Sequence, residues 1–569
     1  MSKFFLFVIL SCLLACSSDP LDVQTIETEE TAMTDGLTAL AELPSGEGWT
    51  AENGVLTATG PATIELLPEH GALTLAFSFR YGEGTQAELL LDNSFAIQLP
   101  ALELGDSAVR RSNTAPSPGM WQDLELAYQP ARGDAPALLV AAYLNGNLVY
   151  YQETLATGGQ GDGPLVLALQ SGTLSITDLR SSDRAGKSSR LASNGEVELQ
   201  LPLIHYAYYP IDGKPEDVTN WGTMTPASEG YIGRFDLGAI RDRPTAYAVR
   251  FTSQLDVPKA GKYTFTMFSP SSTRFYIDDQ PVVDLGGRSD ESEGEGSIQL
   301  SEGTHEVRID HYQYGGWNRL NLAYLNSEGE AVSFNDLPEG RPVTTPSVGE
   351  GLELKTDDRP YLLRSFLNFP PTRMYDFTEK RTHVVNVGEA GGPHYSYDLH
   401  NGSLLQMWRG GFVDVGDMWV ERGEPQTARA LGSVVAFDGR PQWSEDGKVW
   451  PDTLAELHHL RYELDQTGRP TFFFDLAGST VTDRIVPEGA GLLRTLTHTG
   501  GEGAVYTQLA SARRIRETGP GTFELQGPGV TISVQELAAG GLRILQGERT
   551  SRLVAELPAG EHISYRIDW

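Results

Sequence analysis

Asp414 and Asp417, set among Gly410, Gly411 and Gly416 and flanked by Trp408 and Trp419, come nearest in this sequence to a site for sugar chemistry. Two carboxylates can divide glycoside hydrolysis between them, one as acid and the other as base or nucleophile. The glycines let a ligand approach the backbone, and an indole face can stack on a sugar ring. Residues three apart on a regular strand point to opposite faces, so the pair converges only across a loop or bulge. Otherwise the two read as turn aspartates beside core tryptophans. His394, next to Pro393, reads either as a base or as a hydrogen-bonded structural histidine. Other nucleophile signatures are missing: there is no Gly-x-Ser-x-Gly and no His-Glu-x-x-His. The Cys-x-x-Cys-His motif of attached haem is also absent, which argues against haem chemistry.

The two cysteines, Cys12 and Cys16, both fall in the first sixteen residues. Lys3, the apolar run Phe4 to Leu10 and the small residues before Cys16 form the pattern of a bacterial lipoprotein signal. Cleavage would make Cys16 the lipidated N-terminus. The apolar run is shorter than the roughly 20 residues that span a bilayer, which argues against a transmembrane anchor. Ser17 and Ser18 follow the cysteine where an aspartate does not, and resemblance to known lipoprotein sorting implies the outer membrane. The expected location is thus the cell envelope, with membrane contact through the lipid only.

The elements that must position these residues are strands. The 62 glycines, 33 prolines and many short alternating apolar runs argue for an all-β chain. Asn53-Gly54, Asn145-Gly146 and Asn401-Gly402 each stand between apolar runs and predict two-residue hairpin turns. Residues 17–42 carry seven carboxylates and no Lys or Arg, as an acidic tether would. Linkers are expected at 181–195 and 338–358. Three β-sandwich, jelly-roll or barrel domains in series remain, at 43–180, 199–337 and 359–569. A formal net charge of −33 argues against a nucleic-acid partner.

The first body resembles the 3-keto-disaccharide hydrolase family, a concanavalin-like jelly roll, through Trp49 with Asn53-Gly54-Val55-Leu56, Phe77-Ser78-Phe79-Arg80, Phe95-Ala96-Ile97-Gln98 and Tyr143-Leu144-Asn145-Gly146. Its closing stretch, Leu169-Gln170-Ser171-Gly172, departs from that family's pattern. The second body resembles the protective-antigen-type domain through Tyr247 to Thr252, Pro258 to Phe265, Phe275-Tyr276-Ile277-Asp278-Asp279 and Leu300 to Val307. That resemblance implies a β-barrel that commonly binds carbohydrate. The family's lectins hold calcium on paired aspartates in the loop after the Tyr-Thr-Phe strand, where this chain has Ser269-Pro270-Ser271-Ser272. Asp278 and Asp279 come later, where a hairpin turn is expected, and read as turn residues or as calcium ligands. The third body, through His383 to Tyr395 and Trp408 to Trp419, is similar to an uncharacterised β-domain that accompanies sugar-dehydrogenase-like and cytochrome-bearing exported proteins. Leu460, Tyr462 and Leu464 alternate before Thr467-Gly468, so His458 and His459 are expected on opposite faces of a hairpin strand.

Together these readings describe a cell-envelope lipoprotein that binds carbohydrate and assists in its degradation. The alternatives are a 3-keto-glycoside or related hydrolase, and a structural lipoprotein with no ligand site.

Overall fold

Every paired strand in the described residues is antiparallel, and the helical elements reach at most four residues. The computed structural model describes residues 38–39 and 44–569, apart from 105–107, 156–160, 162, 185–189, 192–196, 212–220, 287–291, 314, 316–318, 336–350, 370–378, 421–425 and a few shorter stretches between 445 and 549. Cys16 and most of the acidic segment lie outside the described residues. No helix among the described residues is long and apolar enough to cross a membrane.

The first body is a sandwich whose alternating apolar residues meet in one core. Ala72–Tyr81 sits between Trp121–Gln129 and Thr173–Arg184 in an eight-stranded sheet. The opposing sheet has four strands, Ala62–His70, Gly163–Ser171, Gln86–Leu91 and Phe95–Leu99. Phe77, Phe79, Leu89, Leu124 and Leu167 fill the space between them, all fully buried. The expected linker begins later than the sequence suggests. Thr173–Arg184 continues to pair with Ala72–Tyr81 up to Arg184, and Thr38–Ala39 from the acidic segment adds a strand against Arg180 and Ser181.

The second body packs a six-stranded sheet, centred on Tyr247–Val257 and Gly303–Gln313, against a four-stranded one around Gly261–Phe268. Phe251, Phe265, Phe275 and Ile309 meet in its core. The third body holds three sheets about a shared core that includes Tyr395, Tyr397, Phe472, Phe474 and Tyr565. Its first sheet carries Tyr361–Phe369, Glu379–Gly388, His394–Asp398 and Ser403–Asp414; Leu457–Leu464 is the edge strand of its eight-stranded sheet. Glu353–Leu354 pairs with Ser403–Asp414, so this sheet starts ahead of residue 359. Asp35–Trp569 form a single compact unit.

Two of the three Asn-Gly pairs make the expected turn. Asn53 and Gly54, and Asn145 and Gly146, all have positive φ between directly paired strand ends. At the third, Asp398 pairs with Ser403 across four loop residues, and only Gly402 of the Asn-Gly pair has positive φ. Asn401 is instead buried, donating its amide to the Gly439 carbonyl at 3.0 Å.

Candidate functional site

The third body has an open groove of about 500 Å³, lined by Arg364, His383, Leu399, His400, Thr453, Leu454, Ala455, Leu457, His458 and His459. Its residues come from four separate parts of the chain. Tyr361–Phe369 supplies Arg364, and the neighbouring Glu379–Gly388 supplies His383. The His383 carbonyl accepts the Leu399 N–H at 2.9 Å, which draws the next loop alongside and sets the His383 and His400 rings 6.0 Å apart. Leu457–Leu464 closes the groove with Leu457, His458 and His459.

The polar groups around this opening are held from beneath. Asp398 is buried; one of its oxygens accepts the His400 N–H at 2.8 Å and the other accepts from Arg381 at 3.3 Å. Burial raises the Asp398 pKa, against the opposing pull of the His400 N–H and Arg381. The His459 ring meets Phe474 edge-on at 5.4 Å. Burial, and then the nearby Arg364 cation, lower the His459 pKa and favour neutral imidazole. Its Nε2 is buried and has no hydrogen-bond partner. No carboxylate is among the lining residues, so the groove does not carry the two-carboxylate arrangement of glycoside hydrolysis. Among the described residues, no three His, Cys, Asp or Glu side chains are grouped to hold a metal ion.

The sequence-predicted residues are arranged differently. Asp414 Oδ1 accepts the Leu352 N–H at 2.9 Å and the Gly416 N–H at 2.8 Å, tying down the turn that leads into Gly416–Trp419. Asp417 is buried in that turn and paired with Arg429. Each carboxylate therefore has its own structural partners. His394 is buried, with Nδ1 accepting the Glu389 N–H at 3.0 Å and Nε2 donating to the Gly410 carbonyl at 3.2 Å. Both ring nitrogens are thus used, and burial lowers the His394 pKa and favours that neutral form. No sugar can stack on Trp408, which is wholly buried, parallel to Phe412, and bonded through its indole N–H to the carbonyls of Gly411 and Phe412. Trp419 is 47% exposed beside exposed Val420, and it keeps an open face.

Asp278 and Asp279 both have positive φ and turn the hairpin between Ser272–Ile277 and Gln280–Leu285. Their carboxylates engage different cations: Asp278 bonds His305 at 2.6 Å, and Asp279 pairs with Arg308. In the loop where the family's lectins carry aspartates, Ser269, Ser271, Thr273, His311 and Gln313 form a buried network. Thr273 Oγ1 lies 2.8 Å from both Ser269 Oγ and His311 Nδ1, and Ser271 Oγ donates to Gln313 Oε1 at 2.9 Å. Glu293 and Glu295 are exposed on the strand Glu293–Leu300.

The histidine groove was not evident from the sequence, because its members are separated by up to 95 positions, from Arg364 to His459. Their one local signal was the His458-His459 pair. The two pair in regular register with Asp475 and Phe474, as the opposite-face expectation requires, and both still border the groove because their strand is at the edge of its sheet.

The fold and these sites define an all-β chain of consecutive antiparallel sandwiches. Within it, residues 240–336 match the PA14 domain family. No curated protein sequence matches the chain. Among solved structures, a candidate glycosyl hydrolase of Parabacteroides distasonis is 14% identical and covers 24% of this chain and 83% of its own, with a TM-score of 0.20. An anti-sigma factor domain-containing protein from Clostridium clariflavum is 14% identical and covers 54% of this chain and 92% of its own, with a TM-score of 0.19. A β-glucosidase from Kluyveromyces marxianus, solved with glucose, is 15% identical over 21% of this chain and 14% of its own, with a TM-score of 0.16.

Proposed function

We propose that this chain is a carbohydrate-binding lipoprotein of the bacterial cell envelope, anchored through lipid on Cys16 and assisting in glycan degradation. The observation that carries the binding role is the PA14 match over residues 240–336, on a sandwich whose core strands are those of the sequence resemblance. The anchor rests on Lys3, the apolar run Phe4 to Leu10 and the single remaining cysteine at 16 after cleavage. Binding is favoured over hydrolysis because Asp414 and Asp417 are each tied to backbone amides or to Arg429. A glycan array on the chain from residue 17 onward, with and without EDTA, tests the binding role and any calcium requirement. Glycan capture without turnover is the expected result; product release would favour the hydrolase alternative, and an array with no hits would favour the structural one. Fractionation of full-length Cys16→Ala is expected to find it released from membranes.

A further inference from the structure

We propose that the groove of Arg364, His383, His400, His458 and His459 is a binding site for acidic glycans, sugars that carry carboxylate or sulfate groups. The inference rests on the carbohydrate reading above and gives it a substrate class and a place on the third body.

The groove sets an exposed arginine among histidines on a strongly acidic chain. The chain carries 76 acidic residues against 43 basic ones, and its buried arginines are neutralised at close range. Arg494 pairs with Asp483, and Arg234 with Asp236. Half-buried Arg132, Arg250 and Arg469 likewise bind Asp256, Asp310 and Glu389. Arg364 lies in an opening lined by four histidines and no carboxylate. A planar guanidinium that can offer two parallel N–H groups suits a carboxylate or sulfate. Four of the chain's 11 histidines line this one groove, and each brings ring nitrogens that can bond sugar hydroxyls or the anion.

The remaining lining gives the groove a sugar-like complement. Leu399, Leu454 and Leu457 offer apolar contact for the C–H face of a pyranose, while Thr453 adds a hydroxyl. A volume of about 500 Å³ is within the roughly 300–1,000 Å³ of small-molecule sites. A metal ion fits less well, since it lacks a grouped set of ligands among the described residues.

The test is calorimetric titration of the chain from residue 17 onward with galacturonate, glucuronate and mannuronate-guluronate oligomers and sulfated oligosaccharides. Carboxyl-reduced or desulfated counterparts and inorganic sulfate serve as controls. At least one acidic series is expected to bind at least tenfold more tightly than its neutral counterpart. Arg364→Gln should weaken that binding about tenfold with an unchanged melting temperature, and the ring signals of His383, His400, His458 and His459 should shift on titration. Equal affinity for neutral counterparts, an unaffected Arg364→Gln variant, or inorganic sulfate binding as tightly as the glycan would each overturn the proposal. Neutral glycans bound without acidic ones would overturn this inference and leave the carbohydrate reading standing; no binding of any sugar would overturn both.

Discussion

Asp278 and His305 show how a residue that resembles a metal ligand acts when its nearest partner is an imidazole. Burial alone would raise the Asp278 pKa, but hydrogen bonds from His305 and the Glu306 N–H outweigh it and lower the pKa below the ordinary 3.8. Burial alone would lower the His305 pKa, but bonding to Asp278 and the Ser301 carbonyl raises it above 6.5. The aspartate's contribution is complete above its ordinary value and is lost as pH falls through its lowered one. That of the histidine is complete below its ordinary value and is lost as pH rises through its raised one. The pair is therefore at full strength between about pH 4 and 6.5. Asp278→Asn should lower the melting temperature most in that window and less on either side; an offset independent of pH would refute the pairing. His311 opposes it in the same sandwich. Burial lowers its pKa to about 4, so unfolding takes up a proton and stability declines as pH falls from 6.5 towards that value. The turn role of Asp278 and Asp279 was legible from sequence as a hairpin position. The burial of Trp408 was not, because Ser403–Asp414 is covered on both faces and its tryptophan falls in a run of buried residues rather than on an alternating surface.

At the scale of elements, the sequence revealed hairpins wherever a two-residue turn demanded unusual backbone. Asn53-Gly54 and Asn145-Gly146 were legible because few residues adopt positive φ at both turn positions. Asn401-Gly402 misled for the same reason: its asparagine serves a carbonyl in the interior rather than the turn. Glycines also differ in what they permit. A Cβ on Gly54 would meet nothing within 4 Å, so Gly54→Ala carries only the left-handed backbone penalty, about 1–2 kcal/mol. A Cβ on Gly432 would sit 1.7 Å from the Arg409 carbonyl oxygen, in the pairing of Ser403–Asp414 with Arg429–Ala436. Gly432→Ala must push two strands apart and is expected to cost several times as much. Thermal melts of the two variants would decide this, and equal losses would show that the strand contact yields easily. The histidine groove illustrates the limit of reading at this scale, since a hairpin predicts its own two strands but not which distant edge strand will close over it.

Across the whole molecule, the first sandwich contacts both of the others, through residues whose types and spacing do not announce a junction. Towards the second body, Arg132 grips Asp256 through two hydrogen bonds of 2.6 Å, and Tyr151 bonds Asp236 within a buried group that includes Arg234. Towards the third, Gln122 and Asn145 are buried against Arg429–Ala436. Asn145 Nδ2 donates to Gln122 Oε1 at 2.8 Å and to the Gly432 carbonyl at 3.0 Å, and Ser433 Oγ donates to Gln122 Oε1 at 2.7 Å. Asn147 reaches the Ala430 carbonyl at 2.7 Å, and Met120 joins the third body's core. Glutamine, asparagine and serine read as surface residues in a single sequence, so this junction could be recognised only once the strands were placed. A satisfied polar network between two sandwiches couples their unfolding, because breaking it strands several buried groups, each at a cost of about 1–3 kcal/mol. Wild-type protein should therefore unfold its first and third bodies in one calorimetric transition. Gln122→Ala removes the amide shared by Asn145 and Ser433 and leaves the apolar core of the first sandwich in place, so it should split that transition in two or lower it by several degrees. A variant that melts in the same single transition at an unchanged temperature would mean that the apolar contacts around Met120 and Trp569, whose indole N–H lies 2.7 Å from the Met120 sulfur, hold the bodies together without the polar network.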